Sequence, residues 1–115
     1  VSLIRSFAVE PDVLLMDEPF VFVDFQTKLA LHELLLRIWQ EAARTVVFVT
    51  HDIEEAVTLA DRILVMSAHP GRIKGLYDVN LPRPRDAFAL RKTAAFTALV
   101  NTLMDAMHDD MQRDL

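Results

Sequence analysis

The sequence predicts an α/β fold in which helices flank a mostly parallel sheet, and three observations support it. Residues 13–16 form a continuous apolar run of strand length. Residues 45–50 form a second run, rich in β-branched and aromatic side chains. Between them, apolar residues recur at three- and four-residue spacing from Gln26 to Arg44, which indicates an amphipathic helix. A strand, a helix and a strand in this order predict a layered unit with a right-handed crossover.

The first segments lead into and out of the first strand. A short helix is predicted over residues 2–9, ending before a proline that cannot continue it. The run 13–16 lacks the alternation of a half-buried strand, so we expect both of its faces to be covered. Pro19 blocks extension of this strand. Asp17 and Glu18 therefore belong at its C-terminal end.

The second half of the chain continues the alternation of helices and strands. Asp52 precedes Glu55 by three positions, which is the spacing of a capping box and predicts a helix that runs to about Ala60. A third apolar strand is predicted at 63–66. The alternating stretch 73–81 is typical of an edge strand.

A proline-rich connector precedes the last helix. The segment 82–85, Pro-Arg-Pro-Arg, favours a stiff, extended backbone, so we divide the chain into parts 1–81 and 82–115. The second part is predicted to hold a C-terminal amphipathic helix, for which core packing is favoured over a cofactor or calmodulin-type surface. Its apolar stripe comprises Phe96, Leu99, Val100, Leu103, Met104, Met107 and Met111.

Length and composition limit the functional classes. A chain of 115 residues allows one compact domain or part of one. Although 52% of its residues are hydrophobic, the apolar runs are too short to cross a bilayer. A net charge of −5 gives no general attraction to nucleic acid, and the absence of cysteine excludes disulfides and thiolate metal sites. The chain begins with Val1, so we expect its natural beginning to be absent.

Reactive side chains follow two predicted strands. Ligands of open α/β sheets bind beyond the C-terminal strand ends, where Asp17, Glu18, His51 and Asp52 are placed. Adjacent carboxylates on an extended backbone point in different directions, so Asp17 and Glu18 need different tasks. One division has Asp17 holding hydrated Mg²⁺ while Glu18 orients or deprotonates a water that attacks a phosphate.

Simpler interpretations stay open for these residues. Asp17 and Glu18 can simply begin a solvated turn. A turn or capping role is the alternative for His51 and our interpretation of the other histidines, His32, His69 and His108. A metal phosphohydrolase is disfavoured, because the histidines and aspartates lack the spacing of a ligand set.

Several motifs, in order, resemble the nucleotide-binding domain of ATP-binding-cassette (ABC) ATPases. Four apolar residues followed by Asp-Glu-Pro-Phe at 17–20 are similar to the Walker B segment of that family. Asp24 stands where the family has its D-loop aspartate. Residues 46–62 resemble the switch-histidine strand and the helix after it, and residues 4–12 resemble the segment that leads from the signature motif into Walker B.

The resemblance implies a fold, cofactors and roles. The fold is that of a P-loop NTPase, here the C-terminal half of the nucleotide-binding domain, and the cofactors are ATP and Mg²⁺. Asp17 binds the cofactor and holds Mg²⁺ through water, Glu18 is the catalytic base, His51 contacts the γ-phosphate and Asp24 belongs to the nucleotide site. Segments such as Leu-Pro-Arg-Pro-Arg at 81–85 look most like the nitrate, sulfonate and taurine importers.

The same resemblance implies an assembly and a location. The partners are a second ATPase subunit, two membrane-spanning permease subunits and, indirectly, an external solute-binding protein. The location is the cytoplasmic face of the bacterial inner membrane, with the ATPase attached peripherally. ATP hydrolysis in this assembly drives solute uptake.

The sequence also departs from the family. There is no Gly-x-x-x-x-Gly-Lys-[Ser/Thr] loop and no Leu-Ser-Gly-Gly signature, and the two glycines are Gly71 and Gly75. We therefore expect the chain alone to be inactive as an ATPase, because the phosphates lose their main binding site. Residues 21–23, Val-Phe-Val, replace small residues before the D-loop aspartate and predict a crowded loop. The alternative function is a non-catalytic assembly module, or decayed gene product, that docks to a permease or partner ATPase.

Overall fold

The computed structural model describes residues 13–42, 44–67 and 71–114, so the helix expected over 2–9 lies outside the described part of the chain. Contacts divide the chain into two compact units, residues 1–51 and 52–115. The elements are β1 (Val13–Asp17), α1 (Phe25–Ala42), β2 (Thr45–Val49), α2 (Ile53–Leu59), β3 (Arg62–Met66), β4 (Ile73–Asp78), α3 (Ala87–Leu90) and α4 (Ala94–Asp114).

The first unit contains the expected parallel pair. β1 and β2 run parallel, with Val13 opposite Thr45 and Asp17 opposite Val49. The indole of Trp39 in α1 meets the Phe48 ring of β2 edge-on, with ring centroids 6.3 Å apart. The strand, helix, strand order of the first unit is therefore confirmed, whereas the parallel sheet of the described residues has only two strands.

The two faces of β1 differ in burial. Leu14 and Met16 are buried, at 4% and 7% exposure, whereas Val13 and Leu15 are 57% and 67% exposed. The prediction that both faces are covered is thus wrong for this chain. Successive side chains of a strand point to opposite faces, and the described part of the chain buries one face alone. An uninterrupted apolar run is nevertheless typical of strands that are buried on both faces.

The second unit is built around an antiparallel hairpin. β3 pairs with β4, with Ile63 opposite Tyr77 and Leu64 opposite Leu76. The expectation of a mostly parallel sheet is therefore confirmed for β1 and β2, whereas β3 and β4 form an antiparallel pair. The short connection between the strands suits antiparallel pairing, whereas a parallel neighbour requires a longer crossover.

Helix α4 closes the core of the second unit. The buried core residues are Val57, Val65, Val79, Leu81, Phe96, Val100 and Leu103, with Leu99 and Met107 packed against them. The packing interpretation of the C-terminal stripe is confirmed for these positions. Met104, by contrast, is 52% exposed, and the side chain of Met111 lies outside the described part of the structure. No helix among the described residues is long and apolar enough to span a membrane.

Candidate functional site

The candidate site lies at the edge where the two parallel strands end. Asp17, the last residue of β1, is directly opposite Val49, the last residue of β2. Parallel strands bring their carboxyl ends to the same edge of a sheet, so the residues that follow Asp17 and Val49 emerge side by side. The N–H group of Glu18 donates to the Val49 carbonyl at 2.8 Å and extends the pairing by one residue.

Glu18 and His51 meet at this edge. The Nε2 atom of His51 lies 2.9 Å from the Oε1 atom of Glu18. That oxygen is buried and has no hydrogen-bond partner, so the contact with Nε2 lacks the alignment of a hydrogen bond. The His51 side chain is 89% exposed and that of Glu18 is 30% exposed. The solvent-accessible imidazole of His51 therefore contacts the carboxylate of Glu18, whose side chain is half-buried.

The turn after β1 fixes the Glu18 backbone. Glu18 has a φ of 45°, in the left-handed region that side chains disfavour. Phe20, two residues further along the turn, is buried. Its ring packs against the rings of His32 and Phe48, with centroid distances of 5.9 and 6.1 Å. Packing of Phe20 thus holds a turn that Glu18 would not adopt by preference. Left-handed residues that persist in this way often mark functional sites.

Asp17 carries an exposed side chain at the same strand end. Among the described residues, no three histidine or acidic side chains gather into a group that could hold a metal ion. Mg²⁺ keeps several waters and commonly binds through one or two carboxylates together with substrate phosphates. A single exposed carboxylate fits that mode, whereas a metal cage made by the protein alone does not fit.

Asp24 caps helix α1. Its Oδ1 accepts the Thr27 N–H and its Oδ2 accepts the Thr27 hydroxyl, both at 2.9 Å. The backbone hydrogen bond from Thr27, followed by its hydroxyl, lowers the pKa of the Asp24 carboxyl. This capping role escaped the sequence analysis, although aspartate just before an amphipathic run is a recognised N-cap signal. The Asp24 carboxylate is thus held in place by the helix that it begins.

Comparison with known proteins bears directly on this site. No protein-family model matches the chain. An uncharacterized ABC transporter ATP-binding protein of Methanocaldococcus jannaschii is 44% identical over 105 residues, covering 91% of this chain and 39% of the relative. The aliphatic sulfonates import ATP-binding protein SsuB of Bacillus cereus is 48% identical over 85 residues, covering 74% and 34%. The nitrate import ATP-binding protein NrtD of Synechocystis is 50% identical over 82 residues, covering 71% and 31%.

The chain belongs to the family of ABC transporter ATP-binding proteins. It spans less than half the length of these relatives. The resemblance drawn from the sequence motifs is confirmed at the level of the family.

The histidines of this ABC-family chain differ in their surroundings. His32 lies within α1 and is fully buried, so the turn or capping interpretation is wrong for it. His108 lies within α4, where the same interpretation is also wrong, and His69 lies outside the described residues. The spacing of apolar residues predicts which face of α1 is buried. It does not reveal that a polar residue such as His32 lies on that face.

The aspartate half of the predicted capping box of this ABC-family chain is confirmed. Asp52 accepts the Glu55 N–H at 3.2 Å and begins α2, which ends at Leu59 as predicted. The residue that follows His51 is therefore committed to a helix start.

The segment 21–23 forms a tight turn. The N–H of Val21 donates to the Glu18 carbonyl at 3.4 Å and that of Val23 donates to the Phe20 carbonyl at 3.1 Å. Phe22 is 98% exposed, and the bulky segment is therefore accommodated without burying its aromatic ring within this chain. Crowding of the D-loop against a partner stays a prediction.

Proposed function

We propose that this chain is the C-terminal half of the nucleotide-binding domain of an ATP-hydrolysing ABC import subunit. The contact between His51 and Glu18 carries the proposal, since it unites a carboxylate and an imidazole at the edge where ligands of parallel α/β sheets bind. Relatives that are ATP-binding proteins for nitrate and aliphatic sulfonate import support the same function.

The proposed chemistry divides three tasks among neighbouring residues. Asp17, exposed at the end of β1, would hold Mg²⁺ through water, and the ion supplies neutralisation of charge on the phosphate oxygens of ATP. Glu18 accepts the proton of the attacking water. His51 donates a hydrogen bond to the γ-phosphate and, through its contact with Glu18, keeps the base beside the reacting group.

Asp24 is proposed to belong to the nucleotide site as the D-loop aspartate. Its two hydrogen bonds with Thr27 support a fixed carboxylate at the beginning of α1. A fixed carboxylate can position a partner group without first losing side-chain freedom. The exposed side chains of Val21 and Phe22 would then lie beside the partner ATPase subunit that the D-loop contacts.

The assembly and location are proposals that rest on the family. We propose a second ATPase subunit, membrane-spanning permease subunits and, indirectly, a solute-binding protein as partners, at the cytoplasmic face of the bacterial inner membrane. The transported solute is proposed to be of the nitrate, sulfonate or taurine type, as the nitrate and sulfonate relatives suggest. The division of the chain at residue 82 also remains a proposal.

The experiment joins this chain to the preceding half of the nitrate-import relative and measures ATP hydrolysis. We expect the chain alone to be inactive and the chimaera to hydrolyse Mg·ATP. Glu18→Gln should reduce the rate about 10²- to 10⁴-fold, the usual contribution of a positioned base. Glu41→Gln, an exposed glutamate on α1, should leave it unchanged.

Two outcomes would count against the proposal. A chimaera that folds and binds ATP but hydrolyses at the same rate with Glu18→Gln removes the role of base from Glu18. A chimaera that folds without binding ATP, yet still associates with a permease, favours the non-catalytic assembly module. The exposed apolar side chains of β1, Val13 and Leu15, are the observation that supports this second function.

A further inference from the structure

The carboxyl end of α2 is capped by arginines from a distant segment. Arg85 Nη1 donates to the carbonyls of Thr58 and Ala60 at 3.2 and 2.7 Å. Arg83 Nη2 donates to the intervening carbonyl of Leu59 at 2.8 Å. Helix α2 has no basic residue in its own last turn. Three successive carbonyls that a helix end leaves without intrahelical partners are thus bound by two guanidinium groups.

Arg85 is an unusual cation because it is buried. It is 7% exposed, and its hydrogen bonds go to backbone carbonyls, including that of Leu81, which accepts from Nε at 3.3 Å and Nη2 at 3.1 Å. Burial, reinforced by the charge of Arg83 and opposed by that of Asp61, lowers the pKa of Arg85 to about 10. The guanidinium therefore stays charged at neutral pH. The negative end of the helix dipole and the carbonyl oxygens compensate for its lost hydration.

The same segment also holds the beginning of α2. Arg91 forms an ion pair with Glu54, which lies in the first turn of α2. A helix of seven residues has little stability of its own, because nucleation costs more than so few hydrogen bonds return. Residues 83–91, here named the strap, thus contact α2 at both of its ends.

We propose that the strap is a conformational device that keeps α2 helical, with Arg85 as its positioning residue. Core packing holds the buried face of the helix, which includes Val57 and Leu59, whereas the strap binds the ends from which a short helix frays. Because α2 begins directly after His51 and Asp52, release of the strap would free the chain segment that follows His51. This inference does not depend on the proposed function.

Amide hydrogen exchange in the full chain tests the strap. Arg85→Met should accelerate exchange of the amides of residues 56–60 at least tenfold and that of the β4 amides less than twofold. Arg85→Lys keeps the charge without the planar fork, so an intermediate acceleration is expected. Arg72→Met is the matched control, an exposed arginine of the same unit, and should change neither set.

The proposal is overturned if Arg85→Met remains folded and residues 56–60 exchange within twofold of the unchanged chain. If Arg85→Met removes protection throughout residues 52–115, Arg83→Met decides. It removes the part-buried hydrogen bond to Leu59 and the ion pair with Asp61 but keeps the buried guanidinium of Arg85. Faster exchange confined to the end of α2 then supports the strap. No acceleration in Arg83→Met overturns it.

Discussion

The Nε2 atom of His51 lies 2.9 Å from the Oε1 atom of Glu18, at the edge where β1 and β2 end. Two residues far apart in the sequence meet because parallel pairing aligns the last residues of their strands. The contact places a carboxylate, which can accept a proton, beside an imidazole, which can donate a hydrogen bond. The residue that makes this contact, Glu18, is also the one with the left-handed backbone, at a φ of 45°.

The left-handed conformation of Glu18 predicts a difference between two substitutions. Glu18→Gly should be about 1 kcal/mol more stable than Glu18→Ala, because glycine adopts a φ of 45° without the steric cost of a Cβ atom. The measurement is the free energy of unfolding in urea. In the middle of α1 the order should reverse, with Ala30→Gly losing about 1 kcal/mol. Equal stabilities of the two Glu18 variants would show that the turn relaxes.

Two phenylalanines of the same turn predict opposite outcomes. Phe20→Ala should destabilise the chain by about 3–5 kcal/mol, because Phe20 is 6% exposed and packs between His32 and Phe48. Phe22→Ala should change the free energy of unfolding by less than about 0.5 kcal/mol, because Phe22 is 98% exposed. Urea titrations of both variants provide the comparison. A large loss in Phe22→Ala would mean that Phe22 is covered in solution, for example by self-association.

The Asp24 cap predicts a pH dependence. Hydrogen bonds from Thr27 depress the folded-state pKa of Asp24 below its ordinary value of 3.8. The cap therefore contributes stability above the unfolded-state pKa, and that contribution is lost as pH falls through the lower folded-state pKa. Thr27→Val removes the hydroxyl donor and should raise the Asp24 pKa in an NMR titration of the carboxyl carbon. An unchanged pKa would show that the Thr27 hydroxyl does not contribute and that backbone N–H groups lower the Asp24 pKa.

The open face of the two-stranded sheet predicts association of the isolated chain. Val13, Leu15, Val47 and Val49 are 44–67% exposed on this face. Leu15→Lys should reduce light scattering without loss of folding, since it places a charge on an exposed apolar surface. Leu14→Lys is the matched control on the buried face, at 4% exposure, and should unfold the chain. Unchanged scattering in Leu15→Lys would assign the association to another surface.

Local sequence signals predicted most of the elements. The apolar run at β1, the amphipathic period of α1 and the Asp52 cap depend on neighbours within a few residues, so pattern and chemistry identify them. Pro19 likewise places Asp17 at the end of β1, as the structure has it. The burial of His32 and the partner of β3 depend on distant residues, and sequence periodicity did not reveal them.

The arginine-rich connector is a second case in which local sequence patterns do not reveal long-range contacts. Pro-Arg-Pro-Arg at 82–85 predicts an extended, polar segment on local grounds. Its arginines instead bind the end of α2, and Arg85 is buried. A charged side chain enters the interior only where several acceptors converge, and that convergence is a property of the folded chain.

The sequence by itself determined the family, the strand ends that carry Asp17, Glu18 and His51, and the helix that follows His51. These features follow from residue patterns a few positions long and from the order in which the motifs occur along the chain. Only the tertiary structure decided that Glu18 contacts His51, that Asp24 is held by Thr27, and that Arg85 caps α2. Such contacts depend on directions and distances in space, and side chains far apart in sequence acquire these only when the backbone has folded.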